Sequence, residues 1–471
     1  MRISIANKFL VVSAVLALSG CATQRYKPAP IVPAVSASRL ESRTLSDAGL
    51  RSFVEQSSGK SFTSWPPSRW NLQTLSLAAL YFNPTLDSAR ARVEEADAAI
   101  ITAGGRPNPT FDISPGVPSP YLFSMDLLFP IETAGKRGHR IQSASSLMQA
   151  AQFDLADSAW KVRSGVRTAL LDYFLASRSV DLLRTEQDLR TTQVRLLQER
   201  LTSGEIPRVD LDTARIAAAQ TQLAVTTAQN RIAGARAAIA AAIGLPASAM
   251  STVTFDWDDL DSPPDAASIS AQEVERDAVL NRMDVRRALA QYTAAEANLQ
   301  LEIAKQYPDV EIGPGYSYEE QHNYFTTGLS VTLPIFNRNK GPIDEAEARR
   351  KEAAATVSEA QAQVIAQSEQ ALTAYTAALN ELSESDQLLR TLQNTRLQMT
   401  ERAAQVGEVD SVAVNGVQIE NNALSLSRLE ALNRAQTDLG QLEDAVQRPL
   451  DPGDAFPETQ KLTEPRKEDK Q

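Results

Sequence analysis

Apolar side chains alternate with other residues from 121 to 131. Tyr121, Phe123, Met125, Leu127, Phe129 and Ile131 hold the odd positions, with Ser124 and Asp126 between them. A period of two is that of a strand with one apolar face. The run closes on Pro130 and a basic, Gly-containing turn, ETAGKRG, after which no proline occurs between Ile141 and Ile206. Within that span Leu175, Leu182, Leu189 and Leu196 recur every seven residues, the seam of a coiled coil. About 64 residues of helix would reach roughly 96 Å. The pattern therefore predicts strands joined directly to a helix far longer than a globular average.

The same order returns roughly 200 residues later, which marks an internal repeat. Leu329, Val331, Leu333 and Ile335 alternate as Met125, Leu127, Phe129 and Ile131 do, and Pro334 falls where Pro130 fell. Upstream, PTFDISPG at 109–116 faces PDVEIGPG at 308–315; downstream, SGEIPRVDL at 203–211 faces VGEVDSVAV at 406–414. A second helix from Val209 to Ile243 is Ala-rich, which lets neighbouring helices approach closely. The later half predicts helices from Ile343 to Gln405 and from Val409 to Val446, with Val357, Val364 and Leu372, Leu379 at heptad spacing. Each half thus reads helix, strand, strand, long helix, sharp turn, helix.

The beginning of the chain changes what the strands can mean. MRISIANKFLVVSAVLALSGC has a charged start, a short apolar core and a small-residue exit, the build of a secretion signal. Leu18-Ser19-Gly20-Cys21 resembles a bacterial lipobox, which would leave Cys21 as a lipidated N-terminus. No apolar run long enough for a spanning helix follows, so a mature chain that crosses a membrane does so with strands. Strands of about ten residues suit a tilted crossing. Tyr121, Tyr316, Tyr318, Tyr324 and Phe325 cluster where an interfacial girdle would lie. A soluble hairpin packed on a core alternates in the same way, so the period alone leaves both readings open. Four strands cannot close a barrel, and lipid tolerates no open sheet edge, so the membrane reading requires several copies. The expected organisation is a signal at 1–20, a lipidated N-terminus and extended tether at 21–70, and a first repeat at 71–244. An acidic connector at 245–270, a second repeat at 271–447 and a disordered tail at 448–471 complete it.

Charge and composition mainly exclude. A net charge of −11 argues against nucleic acid, whose phosphates need a basic surface. One cysteine allows no disulfide framework within a chain. Two histidines, His139 and His322, and a lipidated cysteine make no soft-metal site, so no metal or other cofactor is expected beyond the lipid. Neither a Walker A loop, a G-x-S-x-G elbow nor an H-E-x-x-H helix occurs, and paired carboxylates such as Asp258-Asp259 read as a solvated loop. No enzymatic activity is expected.

With duplicated hairpins and long helices in this order, the chain resembles the outer membrane efflux proteins, the TolC-like channels. ETAGKRGHR, LPIFNRNKG and YPDVEIGPGY resemble its CzcC-type branch, from cobalt-zinc-cadmium efflux pumps. The resemblance implies an α+β fold: a transmembrane β-barrel of four strands per protomer, closed as a homotrimer, continuing into a long α-helical coiled-coil barrel in the periplasm. It implies a lipid-anchored outer membrane location, a periplasmic adaptor (a membrane fusion protein) and an inner membrane RND pump as partners, and passive export of divalent metal cations. A drug or small-organic duct of the same build and a non-conducting coiled-coil lipoprotein remain alternatives.

Phe123, Met125, Leu127, Leu329, Val331 and Leu333 are then expected to face lipid, and Ser124, Asp126 and Ser330 the lumen. The helix tips carry Arg200, Gly204, Glu205, Arg402, Gly407 and Glu408, where the resemblance places adaptor docking. Asp210 and Asp410 are the candidate gate residues, and in a trimer the carboxylates of Glu205, Asp210, Glu408 and Asp410 would favour cations. Inward carboxylates of some relatives are replaced here near Ala413 and Gly416.

Overall fold

The computed structural model describes residues 25–116, 122–257, 260–266 and 269–450, in two compact units that part between Ser42 and Arg43. The expected signal at 1–20, Cys21, Tyr121 of the expected girdle, Asp258-Asp259 and residues 451–471 of the expected tail lie outside the described residues. The first unit holds α1 (Pro33–Glu41), which begins on a proline and buries none of its side chains. Proline fits there because the first N–H groups of a helix have no intrahelical acceptor. In the second unit α2 (Ala48–Ser58) is capped by Asp47, whose carboxylate accepts the Leu50 N–H at 2.7 Å. Within the expected tether at 21–70, the described residues 25–70 are therefore not one extended chain. Their Pro/Ala-rich composition points to open chain, but Leu50 and Val54 have a core to enter and are buried in it.

The first half continues through α3 (Leu72–Phe82), α4 (Pro84–Ala103), β1 (Thr110–Gly116), β2 (Leu122–Ile131), α5 (Lys136–Thr202) and α6 (Arg208–Ile243). The second repeats the order with α7 (Ala271–Asn281), α8 (Met283–Ala304), β3 (Val310–Glu319), β4 (His322–Val331), α9 (Lys340–Thr391), α10 (Gln398–Gln405) and α11 (Ser411–Val446). The 67 residues of α5 span about 100 Å. The helix starts before the expected Ile141 because Gly135 takes a left-handed φ of 73° and turns the chain directly into Lys136. Asn339, at φ 60°, does the same before Lys340.

Packing follows the seams. Leu211, Ala214, Thr221, Val225, Ala228 and Ala235 of α6 are buried at alternating heptad spacing, and α6 packs on α5. The other side of α5 meets α11, which in turn meets α9. Leu175 and Leu196 are buried on α5, while Leu182 and Leu189 are half-buried and lend their backbone carbonyls to α11. The side-chain amides of Asn422 and Asn415 donate to them at 3.2 and 3.1 Å. On α9 the seam runs through Val364, Ser368, Ala371, Tyr375, Ala378 and Leu382, so the expected Leu372 and Leu379 flank it rather than form it. The second long helix is also not continuous: Leu392–Leu397 is a π-helical turn between α9 and α10.

Where the helices crowd together the core is apolar, with Leu75, Leu80, Leu86, Leu170, Phe174, Ile239 and Leu432 fully buried. Phe255 and Leu260 of the connector join it, and Trp70 pairs with Phe255 in a parallel bridge. The buried charges there are matched. Arg163 meets Glu443 at 3.1 Å, and Arg167 donates to the Gln436 carbonyl and side chain at 2.8 and 2.9 Å.

Candidate functional site

The four strands form one antiparallel sheet in the order β1-β2-β3-β4, so the two hairpins join directly through β2 and β3. The register sorts most side chains by polarity, although Leu122, Leu128 and Tyr324 fall on the polar side and Asn323 and Thr327 on the apolar one. Phe111 lies opposite Leu127, Ile113 opposite Met125, Met125 opposite Tyr316, Phe129 opposite Ile312, and Ile312 opposite Leu329. Alternation then places Asp112, Ser114, Ser124, Asp126, Glu311, Thr326 and Ser330 on the other face. The sheet has one apolar and one polar face, with the expected residues of β2 and β4 on the expected sides. The exception is Leu333, which lies beyond β4 because that strand stops at Val331. Phe111, Ile113, Phe325 and Leu329 are exposed, so this part of the apolar face has no cover among the described residues. The outer edges of β1 and β4 have no strand partner among the described residues.

Glycine shapes the polar face. A Cβ on Gly313 would sit 1.7 Å from the Leu127 carbonyl oxygen, so β3 approaches β2 only because no side chain is present. At the base of the sheet the turn after β2 is tied to the next repeat. The Thr133 N–H and the Lys136 ammonium donate to Asp309 at 2.9 and 2.7 Å, while Thr133 Oγ1 and Lys136 Nζ reach the carbonyls of Pro308 and Tyr307, each at 2.7 Å. Burial works against the Asp309 charge, but the bonds from Lys136 and Thr133 outweigh it and hold the carboxyl below its ordinary value. The hydrogen bonds of Arg140 lower Glu132 in the same way, against a smaller opposing effect of burial.

The far ends of the long helices turn alike. Gly204 and Gly407 take φ of 78° and 81°. The Glu205 N–H reaches back to the Arg200 carbonyl at 2.9 Å, and the Glu408 N–H to that of Ala403 at 2.9 Å. These are glycine-closed helix ends that satisfy otherwise orphan carbonyls. Arg200 gathers two of the other expected residues. Its guanidinium is ion-paired with Asp410 and lies 3.9 Å from Glu205. Asp410 also caps α11, accepting the Ala413 N–H at 2.8 Å. Asp210 is exposed in the first turn of α6, and Arg402 and Glu408 are exposed at the second tip.

Reading the sequence missed the pairing of Arg200 with Asp410, since the two lie in different repeats and only the α5–α11 contact joins them. It also missed the tie at the base of the sheet, although the quoted turn ETAGKRG contains Lys136. Among the described residues no group of three or more His, Cys, Asp or Glu is placed to hold a metal ion. Likewise, no helix among the described residues is long and apolar enough to cross a membrane.

Three comparisons bear on this architecture. The cobalt-zinc-cadmium resistance protein CzcC of Cupriavidus metallidurans is 28% identical over 57% of this chain, and the match spans 64% of its own length. The pyoverdine export outer membrane protein OpmQ of Pseudomonas aeruginosa is 24% identical over 64% of this chain and 69% of its own. Among solved structures, CusC, described for its transmembrane channel formation, superposes with a TM-score of 0.64 at 19% identity, covering 90% of this chain and 99% of the other. That likeness establishes the TolC-like fold. The family described as outer membrane efflux protein matches residues 75–245 and 275–446, one stretch in each half, and the chain belongs to that family.

Proposed function

We propose that three copies of this chain form an outer membrane duct that exports divalent metal cations passively. The observation that carries the duct is the sheet. One face is apolar and uncovered, the other is polar, and both edges are open. Lipid accepts such a sheet only when its edges are closed, which further copies achieve. The helical layer supports the same ring. Its edge helices each expose apolar side chains, Val209, Ile216 and Leu223 on α6 and Leu388, Met399 and Val406 on α9, α10 and the tip. Rows on opposite edges of one protomer suit a head-to-tail closure.

The metal cargo is supported by the name of the Cupriavidus relative. The pyoverdine relative supports a second reading, a duct for small organic molecules. In either case the duct spends no energy of its own, and a periplasmic adaptor with an RND pump drives export. The adaptor docks at the tips carrying Arg200, Gly204, Glu205, Arg402, Gly407 and Glu408, and Asp210 and Asp410 stand at the gate. Cys21 carries a lipid that adds a second attachment to the outer membrane.

Ion conductance of the purified protein in a planar bilayer tests the duct, and absence of conductance under all conditions leaves the coiled-coil lipoprotein. Cobalt, zinc and cadmium tolerance of a deletion strain tests the cargo. Unchanged metal tolerance with impaired siderophore export moves the reading to the organic duct. Intact mass of the mature N-terminus is expected to show an acylated Cys21, and a chain that begins elsewhere removes the anchor.

A further inference from the structure

Four helix ends meet at the base of the sheet, and hydrogen bonds join them into one row. Arg137 Nε, in the first turn of α5, donates to the Gly104 carbonyl past the end of α4 at 2.7 Å. Lys136 reaches the Tyr307 carbonyl and Asp309 just beyond α8. The Asn339 side-chain amide, ahead of α9, donates to the Glu302 carbonyl and carboxylate at 2.8 and 2.9 Å. Residues 103–109, 132–141, 302–309 and 336–343 make up this row. Together they hold seven Lys or Arg against three Asp or Glu, a surplus of four in a chain whose net charge is −11.

All three carboxylates are engaged, Glu132 by Arg140, Asp309 by Lys136 and Glu302 by Lys305. Arg106, Arg137, Arg338 and Lys340 are exposed and have no carboxylate partner among the described residues. Arg137 spends only its Nε on Gly104. The next carboxylates, Asp344 and Glu345, come after the first turn of α9, and Glu345 is paired with Arg349. Neither α5 nor α9 has an acidic residue in its first turn or a side chain capping its start. Cations at that end oppose the helix dipole, a local cost that a nearby anion would offset.

The apolar face of the sheet begins where this row ends. Ile131 and Val331 flank Val310 there, and Phe129 and Leu329 flank Ile312 one step further in. Ile131, Val331, Phe129, Leu329 and Ile312 are all exposed. An exposed apolar face bordered by cations that lack partners matches the profile of a lipid, with acyl chains along the strands and phosphate at the helix starts. We propose that this row binds the headgroups of anionic phospholipids, those of the leaflet at the base of the sheet. A net-negative lipid is preferred there over a zwitterionic one, whose own ammonium competes with the four cations for its phosphate. This rests on the duct reading, which puts the sheet in lipid, and adds to it a headgroup preference and the residues that set it.

Electron paramagnetic resonance on the full-length protein, assembled in phosphatidylcholine bilayers, tests this. Spin-labelled phosphatidylglycerol or phosphatidylcholine is added, and the immobilised fraction of each label gives its relative affinity for the protein surface. Phosphatidylglycerol is expected to be held several-fold more strongly at about 0.05 M salt, and the preference to vanish towards about 1 M. A preference that is absent, or that salt leaves untouched, overturns the proposal without any variant. Arg106→Gln, Arg137→Gln, Arg338→Gln and Lys340→Gln together are expected to abolish the preference, each weakening it by up to roughly fivefold, with immobilised phosphatidylcholine unchanged. Arg92→Gln, Arg184→Gln, Arg195→Gln and Arg390→Gln remove the same charge from exposed helix surfaces and are expected to keep it. A preference that survives the first set, or falls equally in both, overturns the headgroup row and leaves the duct standing. No immobilised lipid of either kind overturns both. Inorganic phosphate at matched ionic strength is expected to compete no better than chloride, and selective displacement by it would mark a soluble-anion site and overturn the lipid assignment.

Discussion

Single side chains set what each face and junction can tolerate. On the sheet, Leu127 and Val331 lie on the apolar face and Ser330 on the polar one. An arginine near mid-membrane on a lipid-facing position costs about 2–4 kcal/mol in such barrels. Val331→Arg is therefore expected to depress chemical stability in lipid by that order per chain, and Ser330→Arg far less; equal losses would mean the polar face is not wet. At the base of the sheet, Glu132 and Asp309 have folded-state carboxyls held below their ordinary values. Depressed carboxyls add stability above the unfolded pKa, and that stability disappears as pH falls through the folded one. The melting temperature should thus hold from neutrality to about pH 5 and drop below about pH 4. Glu132→Gln with Asp309→Asn should flatten that acid slope, read by circular dichroism across pH. Alternation made the sheet faces legible before any fold was known, because period two is local. The partners of Lys136 and Arg200 were not, because each lies in the other repeat.

At the scale of elements, the errors in reading the chain share one cause: a strand or helix ends where its partner ends. Strand β4 alternates through Ile335, yet it is strand only to Val331 because nothing among the described residues pairs with the rest. Helices α5 and α9 start earlier than proline and glycine spacing suggests, because left-handed Gly135 and Asn339 make the turn short. The π-helical turn was invisible for a similar reason. Inward positions on α9 follow Leu382, Ser385, Leu389 and Leu392, and the inward row resumes at Leu397, Thr400 and Ala404. An ordinary continuation would have turned Arg396 and Met399 inward instead. The wide turn absorbs one residue and keeps Leu397 on the α11 side, with Arg396 paired to Glu420 at 2.5 Å. Such single-turn insertions inside α-helices are the usual form of π structure. Deleting Gln393 should convert the turn to α-helix and leave α10 in register, with little change in melting temperature. Deleting Gln193 from the uninterrupted α5 should rotate its tip by about 100° and lower it clearly. Equal losses from both deletions would show that the π turn is not a register correction.

For the whole molecule, duplication was the most legible feature, and it dictates that the two tips sit at equivalent ends of α5–α6 and α10–α11. What duplication does not dictate is how the tips meet, and there the structure divides the candidate carboxylates. Asp410 is committed twice, to Arg200 and to the first turn of α11. Glu205 lies near the same guanidinium. Asp210 and Glu408 are exposed, each beside one of the two turns. In a closed ring of three, these two positions place six carboxylates around one mouth, and rings of acidic side chains favour cations when they line a pore. Arg200 plays a different part, because its pairing bridges the repeats and resists their separation. Asp210→Asn with Glu408→Gln is therefore expected to lower cation preference, read as a shift of reversal potential toward zero across a salt gradient, with oligomer mass unchanged. Arg200→Ala is expected to raise the resting conductance without lowering cation preference, because it removes a cation and frees Asp410 rather than removing a carboxylate. The two variants thus separate filtering from closure. If the double variant keeps its reversal potential and its resting conductance, Asp210 and Glu408 are solvated tip residues, and ion selection lies elsewhere in the assembly.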